Sequence, residues 1–256
     1  MHPPGRGSWN MAVDAALLQS VQQHPQPMAI LRWYRWQHPT LSLGHFQTAQ
    51  EAREWLSTRS CHLPTPEVVK RITGGGAILH HHEWTYCCVL PYLPEVLGHP
   101  YRLYNWIHEA LCQAFRQSCG LDLSLRGTSH AHTQTKQPTL CFLRQDARDV
   151  CFQQHKVIGS AQRRRYPALL QHGSILLRHS AWTPEVVGLI DLAPEQAPLI
   201  TQAESLVVQS LAQALGNQVV LDDLTPQELT SVHGWMEQLC LSSPSHQTIP
   251  EELSTN

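Results

Sequence analysis

The chain has 256 residues and a mass of 28.9 kDa, and 42% of its residues are hydrophobic, which is enough for one large domain with a sizeable core. Eighteen Lys and Arg against 20 Asp and Glu give a formal net charge of −2, so no global basic field favours nucleic acid as a partner. No stretch approaches the roughly 18 apolar residues of a membrane-spanning helix, and the N-terminal residues lack the apolar core of a secretory signal, so we expect a cytoplasmic protein without a membrane partner.

The first predicted element is a helix that begins at Asn10 and ends near Gln23. Asn10 can cap this helix, and Asp14 then lies in the first turn, where a negative charge suits the helix dipole. A His-Pro pair directly after Gln23 supplies the stop.

Strand patterns dominate the next part of the chain. Segments 30–36 and 40–44 are rich in strand-forming residues and flank a His-Pro pair, which predicts two strands around a turn. Segment 49–60 is helical in composition. Residues 68–91 alternate strand, three glycines and strand again, which predicts a hairpin-like sheet segment with a glycine-rich loop.

The second half begins with a predicted amphipathic helix at 101–120, whose apolar residues recur at three and four spacing before a glycine stop. A polar loop is predicted at 129–139. Further strands are predicted at 140–144, 147–153, 156–162 and 168–177, and two helices at 201–215 and 226–240.

No internal repeat or dividing linker interrupts these elements. The prediction is therefore one α/β domain over residues 1–241, in which a mixed sheet is flanked by helices. We expect a flexible polar tail at 242–256.

Eight scattered cysteines are too few for a disulfide scaffold, so we expect reduced thiols. A zinc site built from His80, His82, Cys87 and Cys88 is an alternative, but strand alternation places Cys88 with the histidines only if no bulge intervenes. The prediction is a protein without a metal.

Three consecutive glycines at 74–76 leave the backbone able to take positive φ and to approach a ligand closely. They lack the spacing of a P-loop or a dinucleotide fingerprint. A tight turn between strands explains them equally well. The flanking cations Lys70 and Arg71, with His80 on the other side, favour a ligand pocket.

Lys156 is one of only three lysines and starts a strand of apolar and small residues. Partial burial would lower its pKa or make it a strong fixed hydrogen-bond donor, whereas a solvated strand-end lysine is the plainer alternative. The Arg163–Arg165 run is better explained as a solvated turn or a patch for an acidic partner than as a catalytic cluster. His172 lies in an apolar strand and either faces a pocket or bonds to the backbone in the core.

Three segments together resemble the lipoate-protein ligase and octanoyltransferase family, the biotin/lipoate protein ligase-like catalytic domain. They are RITGGGAILH at 71–80, KVIGSAQ at 156–162 and QHGSILL at 171–177. Segments near the first helix and early strands are similar too, so the resemblance covers most of residues 9–180. It implies a mixed sheet flanked by helices, an acyl chain in a tunnel beside the glycine loop, and modification of a lysine on lipoyl domains.

The family contains two chemistries. Ligases activate free lipoate or octanoate with ATP, and their lysine equivalent to Lys156 binds the acyl-adenylate. Transferases take octanoyl from a thioester carrier with a cysteine nucleophile, which in the most similar branch stands in a Cys-Phe pair upstream of that lysine. Cys141-Phe142 stands 15 residues before Lys156, so we predict Cys141 as the nucleophile.

The resemblance also implies roles for the surrounding residues. Lys156 would lower the pKa of the Cys141 thiol or stabilise the oxyanion. Two alternatives to Cys141 remain open, because a free cysteine is commonly a buried small hydrophobe and because Cys151 also precedes Lys156. The acyl-tunnel wall would come from Gly74, Gly75 and Gly76, and further pocket residues would be Arg71, His80, Gly159 and His172.

The sequence departs from the family pattern at two positions. Lys70-Arg71 stands where an arginine pair is usual, which keeps the charge but changes any bidentate contact. His81 replaces a frequent acidic residue, which leaves a nucleotide-handling role open. The chain also lacks the C-terminal accessory domain of many ligases, which favours a transferase.

The resulting prediction is an octanoyltransferase that moves an octanoyl group from octanoyl-acyl carrier protein to a lysine of a lipoyl domain or glycine-cleavage H protein, without a soluble cofactor. The alternative with the same fold is an ATP- and Mg²⁺-dependent lipoate-protein ligase in which Cys141 is structural. An alternative of another class is a non-catalytic module that holds a lipoyl or acyl-carrier domain beside an idle, buried Cys141.

Overall fold

The computed structural model describes residues 3–23, 29–59, 62–91, 99, 101–127, 138–216 and 218–241. Its strands are β1 (Ile30–Tyr34), β2 (Thr40–Leu43), β3 (Glu67–Lys70), β4 (Ile78–His80), β5 (Glu83–Pro91), β6 (Ser124–Leu125), β7 (Val150–Phe152), β8 (His155–Arg165) and β9 (Ala168–Leu176). Its α-helices are α1 (Gly7–Gln23), α2 (Ala49–Ser57), α3 (Arg102–Cys119), α4 (Leu189–Leu192), α5 (Ala197–Gln202), α6 (Glu204–Leu215) and α7 (Pro226–Leu239).

Two sheets organise the described residues. The larger sheet is antiparallel, with six strands in the order β1-β5-β9-β8-β7-β6. The smaller sheet has the order β3-β2-β4, in which β2 is parallel to β3 and antiparallel to β4. The predicted α/β class, a mixed sheet arrangement flanked by helices, is confirmed.

Helices cover both faces of the larger sheet. Apolar residues of α3 and α6 form one core with it. Apolar residues of α1 and α7 form a second core on the opposite face. The smaller sheet packs with α2 and Trp182 in a third cluster. No helix among the described residues is long and apolar enough to cross a membrane.

The predicted hairpin over 68–91 is wrong. Strand β2 lies between β3 and β4, so the two strands that flank the glycine loop do not pair with each other, and β5 belongs to the larger sheet. Hairpin loops usually have about two to five residues, whereas here residues 71–77 separate the strands. Residues 71–77 therefore connect β3 and β4, which both pair with β2.

The predicted cap at Asn10 is also wrong, because α1 begins at Gly7. The carboxylate of Glu67, on β3, accepts hydrogen bonds from the amides of Gly7 (2.9 Å) and Ser8 (3.0 Å) and so caps the helix from a distant part of the chain. Asn10 lies inside the helix, and Asp14 is well beyond the first turn. The predicted end at Gln23 is confirmed.

Other helix ends follow local signals. Thr48 and Glu51 form a capping box at α2, and α3 ends where Gly120 takes φ 68°, as the glycine stop predicts. The predicted helix at 201–215 is instead α5 and α6, which meet at Ala203, and α4 was not predicted. Pro198 in the first turn of α5 explains the separate start, since proline suits that position.

The predicted strand at 140–144 is a 3-10 helix, Cys141–Leu143. Only Leu140 bridges to a neighbour, Ala77, so the chain turns away before a ladder forms. Most of the polar loop predicted at 129–139 and all of the tail predicted at 242–256 lie outside the described residues. The single domain over 1–241 stays a prediction.

Candidate active site

Cys141 and Lys156, which are 15 residues apart in the chain, meet in the structure. The Nζ atom of Lys156 lies 3.8 Å from the Sγ atom of Cys141 and donates a hydrogen bond to the Cys141 carbonyl oxygen at 3.2 Å. A backbone hydrogen bond holds Cys141 at this place, since the Cys141 amide donates to the Ala77 oxygen at 2.7 Å. The glycine loop that ends at Ala77 is thereby tied to the thiol.

Lys156 is buried and remains a cation. Its ammonium contacts Oδ1 of Asp149 at 2.8 Å. Burial lowers the pKa of Lys156, but the negative charges of the Cys141 thiolate and Asp149 outweigh it, so the pKa is raised above its usual value and the predicted lowering is wrong. Burial in turn raises the pKa of Asp149, against the effect of Lys156. The ammonium therefore offers a fixed positive charge beside a sulfur atom.

Two cavities meet at Cys141. The larger, about 330 Å³, is polar and is lined by the three glycines, Cys141 and charged residues between Arg144 and Lys156. The narrower, about 50 Å³, runs beneath the glycine loop towards α1. Gly75 and Cys141 line both, so the thiol has a polar space on one side and a buried slot on the other. The slot is lined by Met11, Tyr34, Ile78, Gly159 and Gly173 among others.

Arg71 shapes the glycine loop from within. Its buried guanidinium donates hydrogen bonds to the carbonyl oxygens of Gly74 (2.9 Å), Gly76 (2.6 Å) and Ser42 (2.8 Å). Burial lowers its pKa to about 10, which still leaves it charged at neutral pH. Gly75 takes φ +95°, a conformation that side chains other than glycine rarely adopt. The Arg71 guanidinium thus stabilises the shape of the glycine loop through its hydrogen bonds, and its side chain also lines the slot.

His172 ties the same loop to the larger sheet. Its Nδ1 donates to Oδ2 of the buried Asp14 at 2.9 Å, and its Nε2 accepts from the hydroxyl of Thr73 at 2.7 Å. Asp14 also accepts from Arg32 and Tyr34. Burial raises the pKa of Asp14, but its hydrogen bond with His172 and the charge of Arg32 outweigh that effect, so the pKa is lowered and the carboxylate stays ionised.

The remaining predicted residues line the slot as well. His80 is held between Ser42 (2.7 Å) and Glu83 (2.8 Å), and burial lowers its pKa despite the charge of Glu83. Gly159 leaves room for Lys156, because a Cβ atom there would lie 2.7 Å from the Cε atom of that lysine. Each predicted site residue therefore borders one of the two cavities.

A hydrogen-bonded chain of side chains beside the thiol was not predicted from the sequence. The hydroxyl of Ser160 lies 2.6 Å from Nε2 of His108 and 2.6 Å from the Tyr86 hydroxyl, while Nδ1 of His108 donates to the Arg148 carbonyl oxygen at 2.7 Å. Burial lowers the pKa of His108 to about 4, so the ring is neutral and accepts from Ser160. His108 lies on the buried face of an amphipathic helix. Its spacing in the sequence is that of a core residue, so the sequence gives no signal of this contact.

Other described cysteines are poorer candidates for the nucleophile. Cys151 is buried, and burial raises its pKa. Burial also raises the pKa of Cys112, to about 11. Cys87 and Cys88 point into different cores on opposite faces of the larger sheet, and burial raises the pKa of both. Among the described residues no three metal-ligating side chains converge, so the four residues of the zinc alternative are not brought together.

Comparisons with known proteins agree with the fold. The sequence profile of the lipoyl protein ligase A/B catalytic domain matches residues 6–231. A bi-partite lipoate protein ligase from Thermoplasma acidophilum superposes with a TM-score of 0.65 at 18% identity, over 93% of this chain and 91% of that one. The chain therefore belongs to the lipoyl protein ligase A/B catalytic domain family.

Among curated proteins, the relatives of this chain include several octanoyltransferases. Octanoyltransferase LipM of Carboxydothermus hydrogenoformans is 38% identical over 175 residues, which make up 67% of this chain and 61% of that relative. Octanoyltransferase LipM of Kyrpidia tusciae is 31% identical over 255 residues, which cover 88% of this chain and 89% of the relative. Within its family, the chain is similar to octanoyltransferases of the LipM type.

Proposed function

We propose that the protein is an octanoyltransferase that moves an octanoyl group from octanoyl-acyl carrier protein to a lysine of a lipoyl domain or glycine-cleavage H protein. The observation that carries the proposal is the Cys141 thiol, 3.8 Å from a buried cationic lysine and at the junction of a polar cavity and a narrow slot. The similarity to LipM octanoyltransferases supports the same reaction.

In the first half-reaction the Cys141 thiolate attacks the carbonyl carbon of the octanoyl thioester. The new bond from Sγ to the acyl carbon forms as the bond to the carrier sulfur breaks, and the carrier thiolate takes a proton from solvent. The ammonium of Lys156 stabilises the attacking thiolate and the oxyanion of the intermediate. No soluble cofactor is required, because the thioester is already an activated acyl group.

In the second half-reaction the neutral ε-amine of the acceptor lysine attacks the Cys141 acyl carbon. The amide bond forms, Cys141 leaves as a thiolate, and the surplus amine proton passes to solvent. Lys156 again stabilises the oxyanion and then the departing thiolate. The polar cavity is the side from which both thioester and amine reach the sulfur, since it is the wider and more polar of the two spaces.

The slot is the place for the octanoyl chain. It starts at the thiol, and Met11 and Ile78 give it apolar walls. At about 50 Å³ it has to widen around a bound chain, and the flexible side chain of Met11 suits that adjustment.

Intact-mass analysis with octanoyl-acyl carrier protein and no ATP tests the proposal. The wild type should gain the mass of one octanoyl group, Cys141→Ala should not, and Cys151→Ala serves as the matched control that retains the adduct. An adduct that persists in Cys141→Ala and disappears in Cys151→Ala would assign the reaction to the other thiol.

The two alternatives predict different results in the same assay. A lipoate-protein ligase turns over with ATP, Mg²⁺ and free octanoate, also as Cys141→Ala, and gives no product from the carrier. A non-catalytic module binds the carrier or the lipoyl domain but forms neither adduct nor product. Either result would replace the transferase proposal.

A further inference from the structure

A third cavity, of about 300 Å³, lies outside the candidate active site, between α1, α7 and the ends of β3 and β8. Four of its lining side chains are basic, and none of its lining residues within the described part of the chain is acidic. We call this cavity the cationic groove and define it by His45, Lys70, Arg163 and Arg165.

Within the described part of the chain, no acidic side chain lines the cationic groove to neutralise its positive charges. Among the described residues, no side chain forms an ion pair or hydrogen bond with the side chains of Lys70, Arg163 or Arg165. Two cations of the active-site cavity differ, because Lys156 is paired with Asp149 and Arg148 with Asp146. Converging cations without a carboxylate make a site for an external anion.

The pKa of His45 reflects the positive charges inside the groove. Burial lowers its pKa, and the charges of Arg163, Lys70 and Arg165 lower it further. An anionic ligand would relieve this repulsion, because it would pair with charges that now face one another across the cavity.

Strand β8 connects the groove to the thiol. Ala161 lines both the polar cavity and the slot, and Arg163 and Arg165 follow at two-residue steps on the same face of the strand. At about 3.3 Å per residue, Gly159 and Arg165 are about 20 Å apart along the strand. The groove is also bonded to the glycine loop, since the His45 amide donates to the Thr73 carbonyl oxygen at 2.8 Å.

We infer that the cationic groove docks the acyl donor, an anionic carrier protein whose thioester hangs on a long arm attached through a phosphodiester. The inference rests on the proposed octanoyl transfer. A phosphodiester suits a concave cluster of lysine, arginine and histidine. The distance also favours the donor, because a long arm spans the strand from groove to thiol. The side chain of an acceptor lysine is short, so the acceptor has to bind over the thiol itself.

Two exposed aromatic residues extend the groove into a surface. Phe46, next to His45, is 86% exposed, and Tyr166, next to Arg165, is 80% exposed. Aromatic residues and arginine are enriched at protein interfaces, so Phe46 and Tyr166 suit a docking surface. They provide the apolar contacts that surround a charged docking point.

Charge reversal at Arg165 tests the inference, with Arg116→Glu as the matched control. Arg165 is exposed at the end of β8, while Arg116 is exposed on α3, on the opposite face of the larger sheet. With octanoyl-acyl carrier protein at low salt, Arg165→Glu should raise KM at least tenfold with little change in kcat, and Arg116→Glu should not. The Arg163→Glu variant should repeat the effect.

Substrate variation separates the possible roles of the groove. Octanoyl-pantetheine has neither carrier nor phosphate, so its kcat/KM should be equal in wild type and Arg165→Glu. If Arg165→Glu lost as much kcat/KM with this small thioester as with the carrier, the variant would damage the active site itself. That result would overturn the inference. A KM increase confined to the lipoyl-domain acceptor would reassign the groove to the acceptor and would overturn it as well.

A binding titration keeps this test separate from the proposed reaction. The carrier with its arm but without an acyl group should bind the wild type and Arg116→Glu with similar affinity. It should bind Arg165→Glu at least tenfold more weakly. If the wild type transfers no octanoyl group but shows this pattern, the proposed function fails and the docking surface stands. If the wild type transfers octanoyl and Arg165→Glu binds the carrier normally, the docking surface fails and the function stands.

Discussion

Surroundings decide which cysteine can react. Cys141 is half-buried at a junction of two cavities and beside a cation, whereas the thiols of Cys87, Cys88 and Cys151 lie in strands where burial raises their pKa values. The choice of Cys141 could be predicted from the sequence, because the Cys-Phe pair resembles the family pattern. The 3-10 turn that presents the sulfur could not, because five residues with a strand-like composition carry no sign of it.

We expect Lys156→Ala to slow acyl-enzyme formation by about 10²-fold, the effect of removing one electrostatic stabiliser. The reason is that, among the described residues, Lys156 is the cation whose side chain donates to the Cys141 sulfur, at 3.8 Å. Rapid-quench intact-mass analysis at saturating octanoyl carrier measures the rate. A rate within threefold of wild type would show that the ammonium does not assist the thiol.

His108 should make stability depend on pH. An unfolded histidine has a pKa near 6.5, whereas the folded ring has a pKa of about 4 because it is buried. Between these values the unfolded chain binds a proton that the folded protein does not, so the free energy of unfolding falls as pH falls from about 6.5 to about 4, by about 3 kcal/mol in total. Urea unfolding across this range should give a shallower slope for His108→Gln. Identical slopes would contradict the burial of a neutral ring.

At the scale of elements, several strand positions were predictable and strand partners were not. Runs of strand-forming residues locate β1, β2 and β5, but β2 pairs with β3 and β4 through contacts that no local pattern records. The start of α1 was missed for the same reason, since its cap, Glu67, lies 60 residues away in the chain. Local signals sufficed where the cap is local, as at Thr48 and Gly120.

The glycine loop should tolerate a side chain at one position and not at its neighbour. Gly75→Val forces a β-branched residue to take φ +95° and places Cβ 3.1 Å from the Arg71 guanidinium and 4.0 Å from the Cys141 sulfur. We expect loss of transfer with the fold retained. A Cβ atom at Gly74 meets nothing within 4 Å, so Gly74→Ala should cost much less activity. Transfer rates and circular dichroism measure both effects, and equal activity of the two variants would show that the loop is only a turn.

At the scale of the whole molecule, three separate parts of the chain build the site. The smaller sheet carries the glycine loop, the 3-10 turn carries Cys141, and the larger sheet carries Lys156. The resemblance placed these parts together, since composition and periodicity say nothing about distances between them. It gave no role to His108, Ser160 or Asp149, whose roles arise from contacts across α3, β8 and the turn before β7.

The Thr73 hydroxyl should be needed to keep the two sheets in register at the thiol. It donates to His172 on the larger sheet at 2.7 Å, and His172 is itself held by Asp14 on α1. Thr73→Val keeps the shape but leaves a buried ring nitrogen without its donor, which should lower the free energy of unfolding by about 1–3 kcal/mol. It should also slow transfer, because the adjacent glycine loop lines both cavities at Cys141. Thr73→Ser restores the hydroxyl and should recover most of the activity and stability, whereas a serine variant as impaired as the valine variant would show that methyl packing, and not the hydrogen bond, holds the loop. Urea unfolding and single-turnover octanoyl transfer on both variants measure the two effects.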